Sequence, residues 1–268
     1  VDPFFAGKGP LRQGCSRCGN CISGCAQGAK NSLDKNYLHL ARQLGVQVIS
    51  EARVSHLSRK GEHYHVHLQR RGMGAVELRA PQVILAAGVL GTLEILFASR
   101  DRYRTLPTLP TAIGQHVRTN SEAIVGILGK PGVDISAGTT ISSHFYPDAN
   151  THITQNRFPR SYTFMRWYMG PLVDDPRPLR RAAKVLLRLL GQPWTTLRRW
   201  GARQWQQRIS VLTVMQQADN ELAFDYQRRF WRFGGFGLDS RLALGAASPT
   251  YLPQANAAAR AFARVSGG

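Results

Sequence analysis

The spacing of apolar and polar residues near the start of the chain predicts one helix and two short strands. Over 33–44, apolar side chains recur at helical spacing, and Gly45 follows as a typical helix stop. The segments 46–49 and 53–57 are short, apolar in part and contain β-branched residues. We therefore expect a helix over 33–44, followed by two strands.

The pattern then changes to that of a hairpin followed by a buried strand. Alternation over 63–68 and a second run at 76–79, with glycines between them, predict an antiparallel hairpin. The fully apolar run 82–87 is typical of a strand that is buried on both faces of a parallel sheet. Gly88 then begins an amphipathic helix that we expect to end near Arg100.

From residue 119 onward, further strand-like runs occur at 123–127, 210–215 and 222–226. The last helix is predicted over 255–265. Strands and helices thus occur along the whole chain, which predicts a mixed α/β fold.

Charge is the compositional feature that adds most to this picture. Of the 268 residues, 43% are hydrophobic and 19% are charged, as in a folded globular protein, and no apolar run is long enough to span a bilayer as a helix. The formal net charge is nevertheless +19. An electrostatic field of that sign favours anionic partners, either lipid headgroups or nucleic acid.

The basic residues are concentrated in the segment 176–208, which contains no acidic residue. Within it, 178–190 predicts a helix with an apolar stripe beside a row of cations, and tryptophans follow. Such a segment is typical of membrane surfaces, so 177–205 is a candidate contact with an anionic membrane. A surface helix packed on its own sheet gives the same pattern, and both interpretations stay open.

A basic nucleic-acid-binding module is a third interpretation of the charge. No recognised nucleic-acid motif accompanies it, so we expect no nucleic-acid partner.

The cysteines form a compact group near the start of the chain. Cys15, Cys18, Cys21 and Cys25 have the C-x₂-C-x₂-C-x₃-C spacing with which bacterial ferredoxins ligate iron–sulfur clusters. No proline follows Cys25 and no second set of cysteines exists in the sequence, so we favour free thiols over a cluster or zinc. An iron–sulfur electron-transfer protein remains the alternative.

Cysteines this close together cannot join distant parts of a fold, so we expect a reducing cytoplasm. The basic segment 177–205 adds a peripheral membrane location as an alternative. Because the sequence begins with Val1, we expect the natural N-terminus to lie upstream, which leaves export open.

Several runs of sequence, taken together, resemble one family. They are 28–38 directly after the cysteines, 52–54, 83–92, 114–122, 215–220 and 249–253. In this order they are similar to the glucose–methanol–choline (GMC) flavoprotein oxidoreductases, in particular to the cholesterol-oxidase-like branch. The resemblance covers most of the chain and is weakest over 160–208.

This resemblance implies the organisation of the fold. It implies a partial, Rossmann-like FAD-binding domain over 1–118 that includes the antiparallel hairpin, with the cysteines in a loop over 9–30. It implies a substrate-binding domain over 119–248, built on a mainly antiparallel sheet with helices and carrying the basic segment. Residues 249–268 would begin the return to the FAD domain.

Two parts of the family pattern are not in this sequence. There is no G-x-G-x-x-G loop to hold the FAD pyrophosphate, and the catalytic His with its accompanying Asn is expected beyond Gly268. We therefore expect an internal fragment of a longer flavoenzyme, inactive by itself and without a catalytic residue of its own.

The resemblance also implies candidate residues for FAD binding. They are Val54, through its backbone, and Ala86, Ala87 and Gly88, whose small side chains let backbone come close to a cofactor. FAD is the implied cofactor.

On the substrate side, Thr154 aligns with a glutamate that moves the steroid double bond in relatives, and Gln155 lies beside it. Neither side chain can take up a proton near neutral pH, and His152 is the nearby group with a suitable pKa. The implied activity is oxidation of the CH–OH group of a bulky lipophilic alcohol, with a sterol as the expected substrate.

Overall fold

The computed structural model describes residues 5–217, 220–230, 233–242 and 249–268, with the backbone alone at Arg160. The described residues divide into two compact units. The first unit comprises Val1–Val46, Asn120–Ala218 and Pro249–Gly268, and the second comprises Gln47–Thr119 and Asp219–Ser248. Each unit is therefore made of separate stretches of chain.

The strands, in chain order, are β1 (Ala52–Lys60), β2 (His63–Arg70), β3 (Gly74–Ala80), β4 (Val117–Arg118), β5 (Ala123–Leu128), β6 (Ile141–Asp148), β7 (Thr151–Asn156), β8 (Ile209–Gln216), β9 (Glu221–Arg228) and β10 (Phe236–Leu242). The α-helices are α1 (Tyr37–Gln43), α2 (Gly88–Phe97), α3 (Pro178–Gly191), α4 (Pro193–Trp200), α5 (Trp205–Arg208) and α6 (Pro253–Ser266). A π-helical segment, Ala98–Arg102, extends α2. Short 3-10 helices occur at Asn20–Ile22, Leu33–Lys35 and Arg160–Tyr168.

The first unit is built on one antiparallel sheet with the order β5-β8-β7-β6. Ile153 of β7 and Leu212 of β8 point to the same face, where Ala255 and Ala259 of α6 pack against them. All four residues are almost completely buried. Because α6 presents alanines to the sheet, its backbone can lie close to the strands, and this layer forms the core of the unit.

The opposite face of this sheet is covered at one end only. Ile209 and Val211 of β8 pack there against Trp205, Met165 and Met169. Toward the other end the same face carries side chains that are partly or largely exposed. The first unit thus has one closed and one partly open sheet face.

The second unit contains two antiparallel sheets of three strands, β1-β2-β3 and β10-β9-β4. Phe97 of α2 packs with Phe224 and Tyr226 of β9. Ser99 is fully buried and ties the helix end to β1, because its Oγ accepts a hydrogen bond of 2.9 Å from the Leu57 amide.

The predicted mixed α/β fold with antiparallel sheets is confirmed. The hairpin is present as β2 and β3, and the runs at 123–127, 210–215 and 222–226 lie in β5, β8 and β9. The helices predicted after Gly88, over 178–190 and over 255–265 are also present. The first helix begins later than expected, at Tyr37, whose amide donates to the side chain of Asn36.

Two predicted strands are wrong. The segments 46–49 and 82–87 are irregular, and Ile84 is 92% exposed. Among the described residues, no strand lies beside either segment. A strand without a neighbour leaves its backbone groups without hydrogen-bond partners, so an apolar run alone does not form one.

The compact units change at residues 119 and 248, beside the expected divisions at 118 and 248, but they also change at residues 46 and 218, so the segments group differently from the expected domains. The cysteine loop, 9–30, groups with the four-stranded sheet, because Thr140 Oγ1 donates to the Gly19 carbonyl and the Gly138 amide donates to the Arg17 carbonyl. β9 and β10 group with residues 47–119 instead, because β4 pairs with β9. In the part of the chain that the structure describes, no helix is both long and apolar enough to cross a membrane.

Candidate functional site

A small cavity lies beside the start of α2 in the second unit. It has a volume of about 480 Å³, and its lining includes Ala86, Gly88, Val89, Gln115 and Val117. Gly88 has a φ of +71°, a backbone conformation that side chains disfavour, and apart from the adjoining backbone no described atom lies within 4 Å of where a Cβ would stand. The glycine therefore lets the chain turn into the helix while leaving open space next to the backbone.

The N-terminus of α2 has no capping side chain. Ala87 stands at the cap position and makes no side-chain hydrogen bond, and no acidic residue lies in the first turn. The first amides of a helix have no partners within it and carry a partial positive charge. Together with the adjacent cavity, this arrangement fits the polar or anionic part of a bound cofactor.

The four residues predicted to bind FAD are not equivalent in the structure. Ala86 and Gly88 line the cavity, whereas Ala87 caps the helix and is not part of the lining. Val54 lies in β1 opposite Leu68, directly before a bulge in the strand pairing, and it is not part of the lining either. All four belong to the second unit.

On the substrate side, the sheet of the first unit separates the three predicted residues. His152 pairs with Met215 and Thr154 with Thr213, so both point to the partly open face. Gln155 is on the opposite face, where its amide nitrogen donates to Ser210 Oγ at 2.8 Å. Gln155 is therefore held on the closed face of the sheet.

His152 lies in a small aromatic group on the open face. Its ring stacks on Tyr146 with 4.6 Å between centroids and meets the edge of His144 at 5.3 Å. His152 Nε2 is buried and has no hydrogen-bond partner among the described residues. His144 pairs with Thr154 across the strands, so two imidazoles flank this threonine. The sequence alone could not identify His144, because its position depends on the pairing of β6 with β7.

A larger apolar cavity lies in the first unit, between the edge strand β5 and α3. It has a volume of about 810 Å³, in the range typical of small-molecule sites. Its lining includes Ile124, Gly126, Met169, Val185 and Val211. Ile124 and Val211 point to the same sheet face as Thr154. The open face therefore continues into an apolar cavity that suits a lipophilic molecule.

Within the first unit, the cysteine loop pairs with the chain before β6 through an isolated parallel β-bridge between Cys18 and Gly138. Hydrogen bonds from the Asn20 backbone and then from Ser16 lower the pKa of Cys18, and the Lys30 backbone chiefly lowers that of Cys25. Among the described residues, no three His, Cys, Asp or Glu side chains are grouped so that they could hold a metal ion. Cys15 and Cys21 are also free thiols.

Sequence reasoning missed two adjacent carboxylates, Asp174 and Asp175, each of which holds a helix of the first unit. Asp174 accepts hydrogen bonds of 2.7 Å from Tyr251 and Asn256 and pairs with Arg260 of α6. These bonds hold the pKa of Asp174 well below its usual range. Asp175 pairs with Lys184 of α3 at 2.6 Å, which lowers its pKa. An acidic pair directly before an acid-free segment was the available signal.

Comparison with known proteins identifies the class. Residues 11–101 match the family model described as GMC oxidoreductase. The chain is 36% identical to proteins named cholesterol oxidase from two strains of Mycobacterium tuberculosis, CDC 1551 / Oshkosh and ATCC 25618 / H37Rv, over 98% of its length and 47% of theirs. It is 34% identical to a cholesterol oxidase of Acinetobacter baumannii over 100% of its length and 49% of that protein's. No solved structure matches the chain.

The chain belongs to the GMC oxidoreductase family, a family of FAD-binding flavoproteins. Within that family it is similar to cholesterol oxidases, and it spans about half the length of the curated relatives it matches. The comparisons give no support to an iron–sulfur electron carrier or a nucleic-acid-binding module.

Proposed function

We propose that the protein is an FAD-dependent oxidoreductase that acts on the CH–OH group of a bulky lipophilic alcohol, and that its substrate is a sterol. The observation that carries the proposal is the start of α2, where uncapped helix amides adjoin a cavity lined by Ala86 and Gly88. The family match over 11–101 and the cholesterol oxidases among the relatives support the flavin and the sterol, respectively.

This chain would contribute backbone to the FAD site. The amides at the start of α2 would bind a polar group of the cofactor, and the small residues Ala86, Ala87 and Gly88 would let it approach. Val54 would contribute its backbone from β1. When bound, FAD supplies the acceptor for the hydride that leaves the carbinol carbon. We place the His and Asn that handle the hydroxyl proton outside residues 1–268, so the chain alone is expected to be inactive.

The open sheet face of the first unit would bind the sterol. Its polar end, with His144, His152 and Thr154, suits the functional group of the substrate, and its apolar end continues into the cavity of about 810 Å³. The size and the apolar lining of this cavity would then favour a bulky lipophilic molecule, because the hydrophobic effect favours its transfer out of water.

We further propose that the protein oxidises the alcohol but moves a steroid double bond poorly. The only carboxylate within the four strands of this sheet, all of them described, is Asp148, which accepts from Thr151 Oγ1 at the end of β6. Thr154 cannot act as a base near neutral pH, and Gln155 lies on the closed face. His152 and His144 are the titratable groups beside Thr154.

The FAD site is tested with a matched pair of glycine variants in the protein at its natural length. Gly88→Ala introduces a Cβ next to the cavity, and Gly72→Ala introduces one in the hairpin turn, where φ is +77° and no atom lies within 4 Å either. Both variants carry a similar backbone strain of about 1 kcal/mol. We expect flavin affinity to fall about tenfold in Gly88→Ala alone, measured by titrating the apoprotein with FAD.

Equal flavin affinity in the two variants would show that the start of α2 is not the cofactor site. A natural-length protein that purifies without flavin and does not bind it would overturn the proposed function itself.

The substrate is tested by product analysis with a Δ5-3β-hydroxysteroid. We expect the 3-keto product with its double bond still at Δ5 to accumulate, and His152→Ala or His144→Ala to slow any remaining conversion to Δ4. Rapid and complete formation of the conjugated Δ4-3-ketone by both variants would contradict the isomerisation proposal but not the oxidation.

A further inference from the structure

The basic side of α3 faces the body of the first unit. Arg181 donates to the Asp175 carbonyl at 2.8 Å, and Arg188 donates to the Leu172 carbonyl at 2.6 Å. Lys184 lies between them on the helix and pairs with the Asp175 carboxylate. Three successive turns of α3 are thus attached to the protein through cations, beside the apolar contacts of Val185 and Leu189.

The other part of the apolar side of α3 is exposed. We call this surface, which continues onto α4, the outer stripe. It consists of Leu179 (87% exposed), Leu186 (57%), Leu187 (68%), Leu190 (70%), Trp194 (75%) and Leu197 (53%). Single exposed leucines are ordinary, but a contiguous row of large apolar side chains on neighbouring helices indicates an interaction surface.

Cations without partners flank the outer stripe. Arg180 of α3, Arg198 and Arg199 of α4, and Arg203 after α4 are exposed, and in the described part of the chain none of their side chains has an ion-pair partner. The segment 177–217 contains no acidic residue that could neutralise them. The partner of the outer stripe must therefore accept leucine and tryptophan side chains and positive charge together.

We infer that the outer stripe docks on an anionic lipid surface, with α3 and α4 lying in the headgroup region. A bilayer interface offers both requirements at once, since leucines enter the acyl boundary while arginines remain among anionic headgroups. Trp194 suits the same depth, because tryptophan is enriched where apolar and aqueous regions meet. This inference goes beyond the proposed function, and neither depends on the other.

The geometry of α3 also connects this surface with the apolar cavity. Val185 and Leu189 line the cavity from the inner side of the helix, and Leu186 contributes both to the lining and to the outer stripe. A protein docked in this way holds the cavity within one helix diameter of the lipid, about 10 Å.

The test measures sedimentation of the natural-length protein with vesicles. One set contains phosphatidylglycerol and phosphatidylcholine, and the other contains phosphatidylcholine alone. The double variant Leu187→Asp/Leu190→Asp changes the outer stripe, and Val265→Asp is the matched control, since Val265 is 92% exposed on another helix, α6. We expect affinity for anionic vesicles to fall at least tenfold in the double variant and to stay unchanged in the control.

A second pair of variants tests the charge. Arg198→Glu/Arg199→Glu should weaken binding to anionic vesicles. The affinity should also depend less on salt concentration, because the attraction that salt screens has been removed. Arg264→Glu, an exposed cation on α6, should leave both unchanged. Circular dichroism and thermal unfolding of each variant show that it is folded.

Three results would overturn the inference. The first is equal recovery of the natural protein in the supernatant with and without anionic vesicles. The second is equal loss of binding in the stripe variant and in Val265→Asp. The third is loss of self-association rather than of vesicle binding in the stripe variant, which would assign the outer stripe to a second copy of the chain.

Discussion

Two helices of the first unit have the same length and the same kind of pattern, yet they contact the protein in different ways. α3 and α6 each have 14 residues, and each has a proline in its first turn. α6 buries Ala255 and Ala259 against the sheet, whereas α3 has no buried residue and contacts the unit through cations beside Val185 and Leu189. The amphipathic pattern thus predicts that a helix forms, but it does not predict which side faces inward.

The difference arises from the groups that each helix meets. α6 lies over Ile153, Leu212 and Val214, which form a continuous apolar surface. α3 lies next to the Asp175 carboxylate and the Leu172 carbonyl, which require donors. A buried acceptor without a donor costs more than an exposed leucine, so three cations of α3 reach these acceptors while Leu179, Leu187 and Leu190 stay exposed.

The largest expected effect comes from placing the same charge on each helix. Ala259→Asp puts a carboxylate at a position of α6 that is 4% exposed. We expect the free energy of unfolding to fall by about 3 kcal/mol or more. Leu187→Asp on α3 should change the free energy of unfolding by less than about 1 kcal/mol, mainly through helix propensity. Urea unfolding of both variants measures this, and similar losses would mean that the α3 leucines are buried by another part of the protein.

The second prediction concerns the carboxylate that holds α6. Asp174→Asn removes the charge that accepts from Asn256, Tyr251 and Arg260. We expect the free energy of unfolding to fall by about 1 to 2 kcal/mol near neutral pH. The lower end of this range is expected, because the Asp174 side chain is 47% exposed and its charge is partly screened by solvent.

The pH dependence of this contribution has a definite sign. Because the pKa of Asp174 is lowered in the folded protein, its contribution is complete above the ordinary value of 3.8 and disappears as the pH falls below it. The unfolding curves of Asp174→Asn and of the natural protein should therefore converge toward pH 2. A difference that stays constant with pH would mean that the ion pair contributes nothing.

The smallest effect is expected at the neighbouring aspartate, which holds α3. Asp175→Asn removes the partner of Lys184, but Arg181 and Arg188 still donate to backbone carbonyls. We expect global stability to change less than in Asp174→Asn, while amide hydrogens of α3 exchange several-fold faster. Hydrogen exchange localised to 178–191 checks this, with α6 as the internal reference. Faster exchange in α6 alone would contradict the assignment of Asp175 to α3.

The sequence was sufficient where local pattern and tertiary partners agreed. β2 pairs with β3, and β5 pairs with β8, so each of these strands has a hydrogen-bonding partner and forms as predicted. The run 82–87 has the composition of a buried strand but no neighbouring strand among the described residues, so it is irregular. Pairing partners, rather than propensity, decided these cases.

The candidate site shows the same limit. Period-two alternation is enough to place His152 and Thr154 on one face and Gln155 on the other. The position of His144 beside Thr154 requires the register between β6 and β7, which contains irregular steps. The inward side of α3 depends on Asp175 and on backbone carbonyls, which no sequence pattern reports.

The interleaved composition of the two units has a consequence for the order of events during synthesis. The sheet core of the first unit needs α6, which begins at Pro253, while the strands that it covers begin at Ala123. An emerging chain must therefore hold Ile153, Leu212 and Val214 without their cover until α6 has left the ribosome. Contacts so distant in sequence form slowly, and chaperone binding to nascent chains should consequently peak after residue 216 and decline once α6 is complete.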